Sequence, residues 1–435
     1  MPTPSLILVP ARFKTGKLYT PLATTSGGVV LGASGDFNVT RATTATRVNA
    51  SGLIEVVASG IPRLDYYTSG GTAGCPALLV EPAATNSAWP SEGFSSTTWA
   101  LAVSASVSGV SSPDGMNTAN TFIASTTTDR VRRLVTLTSG TTYTYSLFGK
   151  FGALSSGFTM QVFEENATTY GSGVCQAFNL NEGTLGASGS VGAGFTLQSV
   201  GMENYGDGWY RCRMTVLMSY TPPALARIGF RIGTQLSGGR PVSVVSGSVS
   251  AWGAQLETGS VATSYIPTTT TSATRNADVI SLSGAVSGCK GQTEGTIYAE
   301  VDLRAFASSA ARRIISLRLD GNNVVSLETS AASGSILLNV VSGASNISAT
   351  ATGLTNGIYK IAAAYNNDAS GTVVYVNGTL RDTKTSVVPD VRTATIGLGI
   401  RSDLSAGTQF NDRIRSAALY TTRLTNAELA ALTTL

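Results

Sequence analysis

Histidine is absent from the chain, and this absence excludes a large part of enzyme chemistry. Without histidine the chain has no Ser-His-Asp triad, no imidazole general base and no histidine ligand for zinc. Charged residues make up only 12% of the sequence, about half of the usual ~25%. The formal net charge of +4 is spread evenly along the chain. Because no segment forms a basic stripe, we expect no nucleic-acid partner.

Cysteines and long apolar runs are also scarce. The four cysteines show no CxxC spacing that would indicate a metal or redox motif. Cys175 and Cys212 lie in one segment and could pair, although Cys212 also suits a small buried hydrophobe on an alternating strand. No uncharged apolar stretch of about 18 residues exists, so we expect no membrane insertion. The short apolar run at 5–9 has no charged region before it, so we expect no signal peptide.

Serine, threonine, glycine and alanine take the place of the missing charge, and they separate many short runs of β-branched residues. Several of these runs alternate apolar and polar residues with a period of two, which is typical of strands. The pattern therefore predicts an all-β protein. Between residues 86 and 271 the predicted strands are 120–124, 131–137, 142–151, 158–164, 176–180, 195–200, 208–218, 226–232 and 247–256.

The spacing of these predicted strands divides the chain into three parts. Residues 1–85 contain arms and strands without a self-sufficient core, and residues 86–271 form a β-sandwich. A threonine run at 268–271 is the linker to a second all-β segment at 276–435. In that segment Asn377-Gly378 predicts a tight hairpin, and Thr425 with Glu428 predicts the capping box of a short terminal helix.

The segment at 36–86 carries the most informative pattern. It reads DFNVTRATTATRVNASGLIEVVASGIPRLDY, then a glycine-rich break, then CPALLVEPAATN. This pattern resembles the N-terminal region of bacteriophage fibre and spike proteins. In those proteins such a block joins the virion anchor to receptor-facing β modules. The resemblance implies that residues 1–85 are a virion-anchor and linker block, whose role is positional rather than chemical.

Two further patterns extend the resemblance. In the middle segment GDGWYR, SAWGAQLE and TSYIPT are similar to carbohydrate-binding-module-like sandwiches of phage proteins. In the last segment a VNG turn, a strand ending in LY and the sequence LTNAELAAL resemble the laminin-G-like, concanavalin-A-like lectin fold. The resemblances imply an all-β, multidomain chain with two jelly-roll-type β-sandwiches after an extended N-terminal anchor region.

Glycoside hydrolysis is the enzyme activity most often found on phage spikes, and it needs two carboxylates about 5–10 Å apart. Glucanases of the concanavalin-A-like fold carry three acids on one strand, as Glu-x-Asp-x-(x)-Glu. Here Glu300 and Asp302 supply two of them, but the third acid is missing. An ordinary polar strand face explains the pair equally well. We therefore predict that the protein is not an enzyme.

Sugar binding needs exposed aromatic rings with amide and carboxylate partners. A sandwich core also uses tryptophan, and oxygen-rich loops suit either calcium or plain turns. With those alternatives open, the candidate glycan-binding residues are Trp89, Trp99, Tyr205, Asp207, Trp209, Asn366, Asn367, Asp368, Arg401 and Asp403. We assign no metal site, no catalytic residue and no cofactor.

The sequence thus predicts a bacteriophage virion structural protein, a tail or head fibre or spike that recognises host-surface polysaccharide during adsorption. Its predicted partners are other virion proteins, contacted through the N-terminal region, and two further copies in a homotrimer. The predicted location is the virion, assembled in the host bacterial cytoplasm. One alternative is a head-decoration or tail-assembly component without glycan binding. A second is a glycan-degrading tail spike that uses carboxylates from different strands or subunits.

Overall fold

A computed structural model describes residues 2–20, 22–23, 36–67, 74–94, 98–164, 171–219, 225–283, 289–291, 293–304, 311–330, 334–366, 371–384 and 395–435. Within these ranges all regular structure is β except one C-terminal helix, as the sequence predicts. No helix in them is long and apolar enough to cross a membrane.

The first ten strands of the described chain are short. They are β1 (Leu6–Leu8), β2 (Phe13–Lys14), β3 (Lys17–Leu18), β4 (Leu22–Ala23), β5 (Phe37–Thr40), β6 (Ala45–Val48), β7 (Ile54–Val57), β8 (Leu64–Asp65), β9 (Ala77–Val80) and β10 (Ala84–Asn86).

The middle segment contains longer strands. They are β11 (Ala100–Ala102), β12 (Ala105–Val110), β13 (Ala119–Ala124), β14 (Arg130–Thr136), β15 (Thr141–Phe151), β16 (Gly157–Glu164), β17 (Gly173–Asn179), β18 (Thr184–Val191), β19 (Phe195–Asn204), β20 (Trp209–Met218), β21 (Leu225–Ile232), β22 (Gln235–Ser237), β23 (Arg240–Val242) and β24 (Gly247–Thr258).

Two six-stranded antiparallel sheets form this middle sandwich. Sheet C has the order β11-β14-β21-β16-β17-β18, and sheet D has the order β12-β13-β24-β15-β20-β19. Alternate residues of the two sheets meet in one core, where Cys212 and Met214 are fully buried, as the alternation predicts. All four cysteines are free thiols, so Cys175 and Cys212 do not pair.

The last segment supplies twelve strands and the helix. They are β25 (Ala273–Arg275), β26 (Val279–Ser283), β27 (Gly295–Leu303), β28 (Arg312–Asp320), β29 (Asn323–Thr329), β30 (Ile336–Ser342), β31 (Ser345–Ala351), β32 (Gly357–Tyr365), β33 (Thr372–Val376), β34 (Thr379–Lys384), β35 (Thr395–Leu398), β36 (Asp412–Tyr420) and α1 (Asn426–Thr433).

The C-terminal sandwich is built from both ends of the chain. Sheet A runs β34-β33-β32-β27-β36-β1-β4, and β9 also pairs with β36 and carries β8 at its edge. Sheet B runs β2-β3-β5-β26-β35-β28-β29-β30-β31. A single core joins residues of both ends, and Leu6, Phe37 and Leu78 are buried with Ile297 and Ile414 in it.

The short strands of residues 1–85 share their cores with the rest of the chain. Leu6, Phe37 and Leu78 are buried with the C-terminal segment, and Val48 and Ile54 are buried against the middle sandwich. β1 pairs with β36 through Leu6↔Leu419, and β5 pairs with β26 through Val39↔Ile280. The chain therefore leaves the C-terminal sandwich, forms the middle sandwich and returns.

Two local predictions are confirmed. Asn377 and Gly378 both have positive φ, 49° and 78°, and connect β33 to β34 in a two-residue hairpin. At the start of α1 the Glu428 backbone N–H donates to the Thr425 hydroxyl, and the Glu428 carboxylate accepts from the Thr425 backbone N–H. The hairpin turn and the helix cap that the sequence predicts are therefore both present.

Candidate functional site

Charged residues of the 36–86 segment and of residues 275–278 lie buried where the two sandwiches meet. We call this group the joint: Arg41, Arg63, Glu81, Arg275 and Asp278. The Arg63 side chain is completely buried, and it donates Nη1 to Glu81 Oε2 at 2.5 Å and Nη2 to Asp278. Arg275 Nη1 lies 2.7 Å from Glu81 Oε2, and Arg41 Nη1 lies 2.9 Å from Asp278 Oδ1. Each buried charge of the joint therefore has an opposite charge in contact.

Glu81 and Arg63 are held in the ionised form despite their burial, whereas burial lowers the pKa of Arg41 and Arg275. Burial alone would raise the pKa of Glu81, but Arg275, Arg63 and two hydrogen bonds from Ser264 hold it well below its usual range. For Arg63 burial would lower the pKa, and the carboxylates of Asp278 and Glu81 raise it instead. The joint is thus a set of fixed charges rather than a titrating site.

Three more polar residues of the 36–86 segment fasten the sandwiches together. The Thr46 hydroxyl donates to the Tyr265 carbonyl at 2.5 Å, at the exit of the middle sandwich. The Asn86 amide donates to the carbonyls of Ala254 and Ile266. Asp65 accepts from Arg413 Nε of β36 at 2.9 Å. These described polar contacts of the segment are therefore structural.

A cleft of about 590 Å³ lies between β19 and β20 of sheet D and the ends of β27, β32 and β36 in sheet A. Its charged walls are largely paired within the protein. Arg304 contacts Asp302 Oδ2 at 2.6 Å and stacks on the Tyr67 ring at 4.3 Å, and Arg415 contacts Glu300 Oε1 at 2.7 Å. Both carboxylates of the incomplete glucanase pattern are therefore engaged by arginines.

A second cavity, the distal groove, opens on the opposite side of the middle sandwich, on the outer face of sheet C. Its volume is about 280 Å³, and its floor consists of Gln161, Phe163 and Arg231. One wall is the loop at 127–128, and the other is the hairpin of β22 and β23. Amide, guanidinium, hydroxyl and aromatic groups converge there, while none of the groove-lining residues in the described chain is acidic.

The hairpin wall is held down by backbone and side-chain contacts. The Cys175 thiol lies 3.5 Å from the Gly239 carbonyl, and burial raises the pKa of that thiol to about 11. The Thr159 hydroxyl donates to the Gly233 carbonyl at 2.8 Å, and the Ser243 hydroxyl donates to the Asp129 carbonyl. The groove is thus preformed by strands and by a hairpin tied to them.

The tryptophans of the candidate glycan-binding residues do not form surface platforms. Trp99 is 2% exposed and its indole N–H donates to the Pro90 carbonyl at 2.8 Å. Trp209 is also 2% exposed and packs with Trp252 in a cluster between sheet D and the 36–86 segment. Trp89 is half-buried, and the Arg133 guanidinium covers its ring at 4.1 Å. The expectation of ligand contact at Trp99 and Trp209 is therefore corrected, because both rings are core.

Tyr205 and Asp207 lie close together but serve different contacts. Tyr205 is half-buried and packs on Tyr67 and Phe148, with ring centroids 4.7 and 4.9 Å apart. Burial and the neighbouring Glu203 raise the pKa of Tyr205 to about 12. Asp207 is exposed in a left-handed turn with φ of 49° and contacts Lys150 Nζ at 2.8 Å. Neither residue lines the distal groove.

The C-terminal candidates are also engaged within the protein. Asn366 is 5% exposed, and Asn367 and Asp368 lie outside the described residues. Arg401 Nη2 contacts Asp403 Oδ2 at 2.6 Å, and Arg318 contacts the same carboxylate. None of these three residues lines the cleft or the distal groove. The described chain holds no group of three or more His, Cys, Asp or Glu that could bind a metal ion.

Sequence analysis missed a group of arginines around the distal groove. We call them the distal arginines: Arg130, Arg132, Arg227, Arg231 and Arg240. Arg130 and Arg132 lie on β14, Arg227 and Arg231 on β21, and Arg240 on β23. The even spacing of Arg130 and Arg132, and of Arg227 and Arg231, was the available signal, but only the pairing of β14 with β21 brings the two pairs to one face.

No family model matches the chain, and no curated protein matches it. Among solved structures, the CBM40 of the Ruminococcus gnavus IT-sialidase bound to α2,3-sialyllactose is 15% identical, with a TM-score of 0.30, and covers 35% of this chain and 88% of its own. The leech intramolecular trans-sialidase is 17% identical with a TM-score of 0.29, over 34% of this chain and 24% of that one.

The binding domain of botulinum neurotoxin DC, in complex with rat synaptotagmin II, is 14% identical with a TM-score of 0.29. This similarity covers 36% of this chain and 40% of that one. At such TM-scores these similarities give no basis for a functional conclusion.

Proposed function

We propose that this protein is an adhesin that binds glycans, with the distal groove as the binding site. The observation that supports this proposal most directly is the composition of the groove, in which Gln161, Phe163 and Arg231 form a floor between hydroxyl-bearing walls. Sugars are recognised by such combinations, because amides and guanidinium groups bond to hydroxyls while apolar faces exclude water. The groove also lies on the side of the middle sandwich away from the joint, where a ligand has access.

The finer proposal is that the adhesin is a bacteriophage virion protein, a fibre or spike that recognises host-surface polysaccharide. The 36–86 pattern supports it, as does the joint, because the residues of that pattern are the ones that hold the sandwiches in a fixed arrangement. A shallow groove gives weak individual contacts, and several copies on one particle, as in a homotrimer, would strengthen them through multivalency.

A blocking substitution tests the groove without removing any core side chain. Ser237 is an exposed wall residue, and Ser237→Trp would fill the groove with a large ring. Ser139, in an exposed turn of the same sandwich, gives the matched control Ser139→Trp. On a glycan array, and on host cells, we expect S237W to lose binding and S139W to keep it. Equal binding by both variants would assign the glycan site elsewhere, and absence of binding by the unmodified protein would remove the proposal.

A second candidate function is that of a virion structural component without glycan binding, such as a head-decoration or tail-assembly protein. The burial of Trp99, Trp209 and Trp252 favours it, because these aromatic side chains fill cores instead of facing a ligand. Particles that lack the protein would then assemble or withstand heat poorly while adsorbing normally. Reduced adsorption of otherwise intact particles would contradict this alternative.

A further inference from the structure

The floor of the distal groove contains a buried glutamine side chain. Gln161 lies on β16 between Met160 and Val162, which belong to the core of the middle sandwich. Alternation therefore places Gln161 on the outer face of sheet C, where it lines the groove with only 2% of its surface exposed. On the neighbouring strands it lies opposite Cys175 and Gly229, and Gly229 has no side chain that could cover the amide.

The amide of Gln161 differs from those of two other buried glutamines in the middle sandwich. Gln176 donates from Nε2 to two backbone carbonyls at 2.8 and 2.9 Å. Gln255 donates from Nε2 to Glu257 Oε1 at 2.7 Å. The Gln161 amide, in contrast, makes no hydrogen bond to any residue that the structure describes. Because buried amides are nearly always hydrogen-bonded, we expect this one to take its partner from outside the chain.

The two walls of the groove add further neutral polar groups. Thr127 and Ser237 are exposed on opposite walls, and their hydroxyls make no hydrogen bonds within the described ranges. Val242 contributes a half-buried apolar side chain to the hairpin wall. The groove therefore offers neutral donors and acceptors on its floor and on both walls, beside an apolar surface.

The chemistry of the amide restricts which ligand it can bind with both of its polar atoms. The glutamine side chain places an acceptor, Oε1, beside a donor, Nε2. Two hydroxyls on adjacent carbons of a sugar ring fit this pair, because one hydroxyl donates to Oε1 while the other accepts from Nε2. A carboxylate only accepts and an ammonium group only donates, so each would leave half of the amide without a partner. The amide therefore favours a neutral ring with adjacent hydroxyls.

We propose that the distal groove binds a neutral sugar through two free hydroxyls on adjacent carbons, and that Gln161 selects this hydroxyl pair. The inference rests on the proposed glycan-binding function and names its substrate class. Thr127 and Ser237 bond to further hydroxyls from the two walls, while Val242 packs against the apolar part of the ring. A sugar in which either hydroxyl is blocked leaves the buried amide unpaired and is rejected for that reason.

An extended peptide also presents a donor and an acceptor side by side, but the groove suits a peptide less well. Peptides that bind as added strands use the exposed edge of a sheet, whereas β16 lies inside sheet C between β21 and β17. The loop at 127–128 and the hairpin of β22 and β23 bound the groove on two sides, and its volume is only about 280 Å³. We therefore assign the groove to a sugar.

Calorimetric titration of the full chain with four neutral polysaccharides tests the inference. Dextran, soluble starch and galactomannan carry free hydroxyls on adjacent carbons along their chains, whereas the internal residues of laminarin, a β-1,3-glucan, carry none. Periodate cleaves the bond between two hydroxyl-bearing carbons, and borohydride then reduces the products. We expect binding to at least one of the first three polysaccharides, and a loss of roughly tenfold or more in affinity after this treatment.

A substitution at Gln161 tests the residue itself. Gln161→Met keeps a side chain of similar size and removes both hydrogen-bonding atoms, while the matched control Gln198→Met removes an exposed amide on β19 of sheet D. We expect Q161M to bind roughly tenfold or more weakly and Q198M to bind as the unmodified protein does. Because the Gln161 amide has no partner among the described residues, Q161M should keep the denaturation midpoint, which separates lost binding from lost folding.

The outcomes separate the two proposals. If laminarin or the periodate-treated polysaccharide bound as tightly as the intact one, the hydroxyl pair would be overturned and glycan binding would stand. Equal affinity of Q161M and Q198M, as expected if Gln161 contacts only water, would overturn the inference as well. If none of the four polysaccharides bound while S237W lost glycans on the array, the inference would fail and the proposed function would stand. Absence of binding to the polysaccharides and to the array would remove both.

Discussion

The joint and the distal arginines place the same side chain in different surroundings. In the joint Arg63 and Arg275 are buried, and each contacts a carboxylate at hydrogen-bond distance. On the outer face of sheet C Arg130, Arg132 and Arg227 are half-buried, and burial, together with the charges of Arg132 and Arg130, lowers the pKa of Arg227. The surroundings of an arginine in this protein are therefore set by strand pairing and not by its neighbours in the sequence.

The largest expected effect comes from breaking the joint. Glu81→Gln removes a charge that Arg63 and Arg275 both contact, and leaves their buried guanidinium groups partly uncompensated. We expect a loss of about 3–5 kcal/mol in the free energy of unfolding, measured by chemical denaturation. An unchanged midpoint would show that the joint does not hold the sandwiches together.

The dependence of stability on pH also tests the role of Glu81 in the joint. The pKa of Glu81 is lower in the folded than in the unfolded chain, so its contribution is present above the ordinary value of 4.5 and lost as the pH falls towards the folded pKa. Glu257 acts in the opposite direction, because burial raises its pKa. We expect E81Q to lose less stability than the unmodified protein when the pH is lowered below 4.5. If the stability of E81Q and of the unmodified protein fell equally with pH, the assignment of an ionised Glu81 to the joint would be contradicted.

A third arginine group tests whether burial, rather than pairing, makes the joint strong. Asp403 contacts Arg318 and Arg401 at the surface, with its side chain 35% exposed. Because water and salt screen such pairs, we expect Asp403→Asn to cost no more than about 1 kcal/mol. Thermal unfolding of D403N and of E81Q measures the loss of stability in each variant. Equal losses would show that burial does not strengthen the ion pairs of the joint.

The smallest effect on stability is expected in the distal arginines. Arg132 is half-buried on the outer face of sheet C, so we expect Arg132→Gln to change the free energy of unfolding by no more than about 0.5 kcal/mol. Arg63→Gln is the matched substitution in the joint and should be strongly destabilising. A large loss of stability in R132Q would mean that the distal arginines are structural as well.

The sequence predicted those parts of the fold that depend on local patterns. The strands at 142–151 and 158–164 are found as β15 and β16 with bounds shifted by one residue at most, because each is long and alternating. The capping box of Thr425 and the Asn377-Gly378 hairpin are local chemistry and were also predicted. Edge strands such as β18 and β31 carry weak apolar patterns and were missed.

Features that depend on distant pairing could not be predicted. The joint brings Arg63 to Asp278, and the distal group brings Arg132 to Arg227, although about a hundred residues or more separate the members in the chain. Tryptophans suggested ligand platforms because sequence does not show which face of a strand is covered by another segment. Trp209 is covered by the 36–86 segment, whose docking the pattern did not reveal.

Hydrogen-exchange mass spectrometry of the full chain, with whichever of dextran, starch and galactomannan binds most tightly, tests the central contrast between the joint and the distal groove most directly. The account predicts slower exchange in peptides covering 127–132 and 227–242, which form the groove and its walls, and no change in peptides covering 200–213 and 411–415 beside the joint. Protection confined to the peptides beside the joint, in the cleft lined by Glu203 and Arg415, would contradict it.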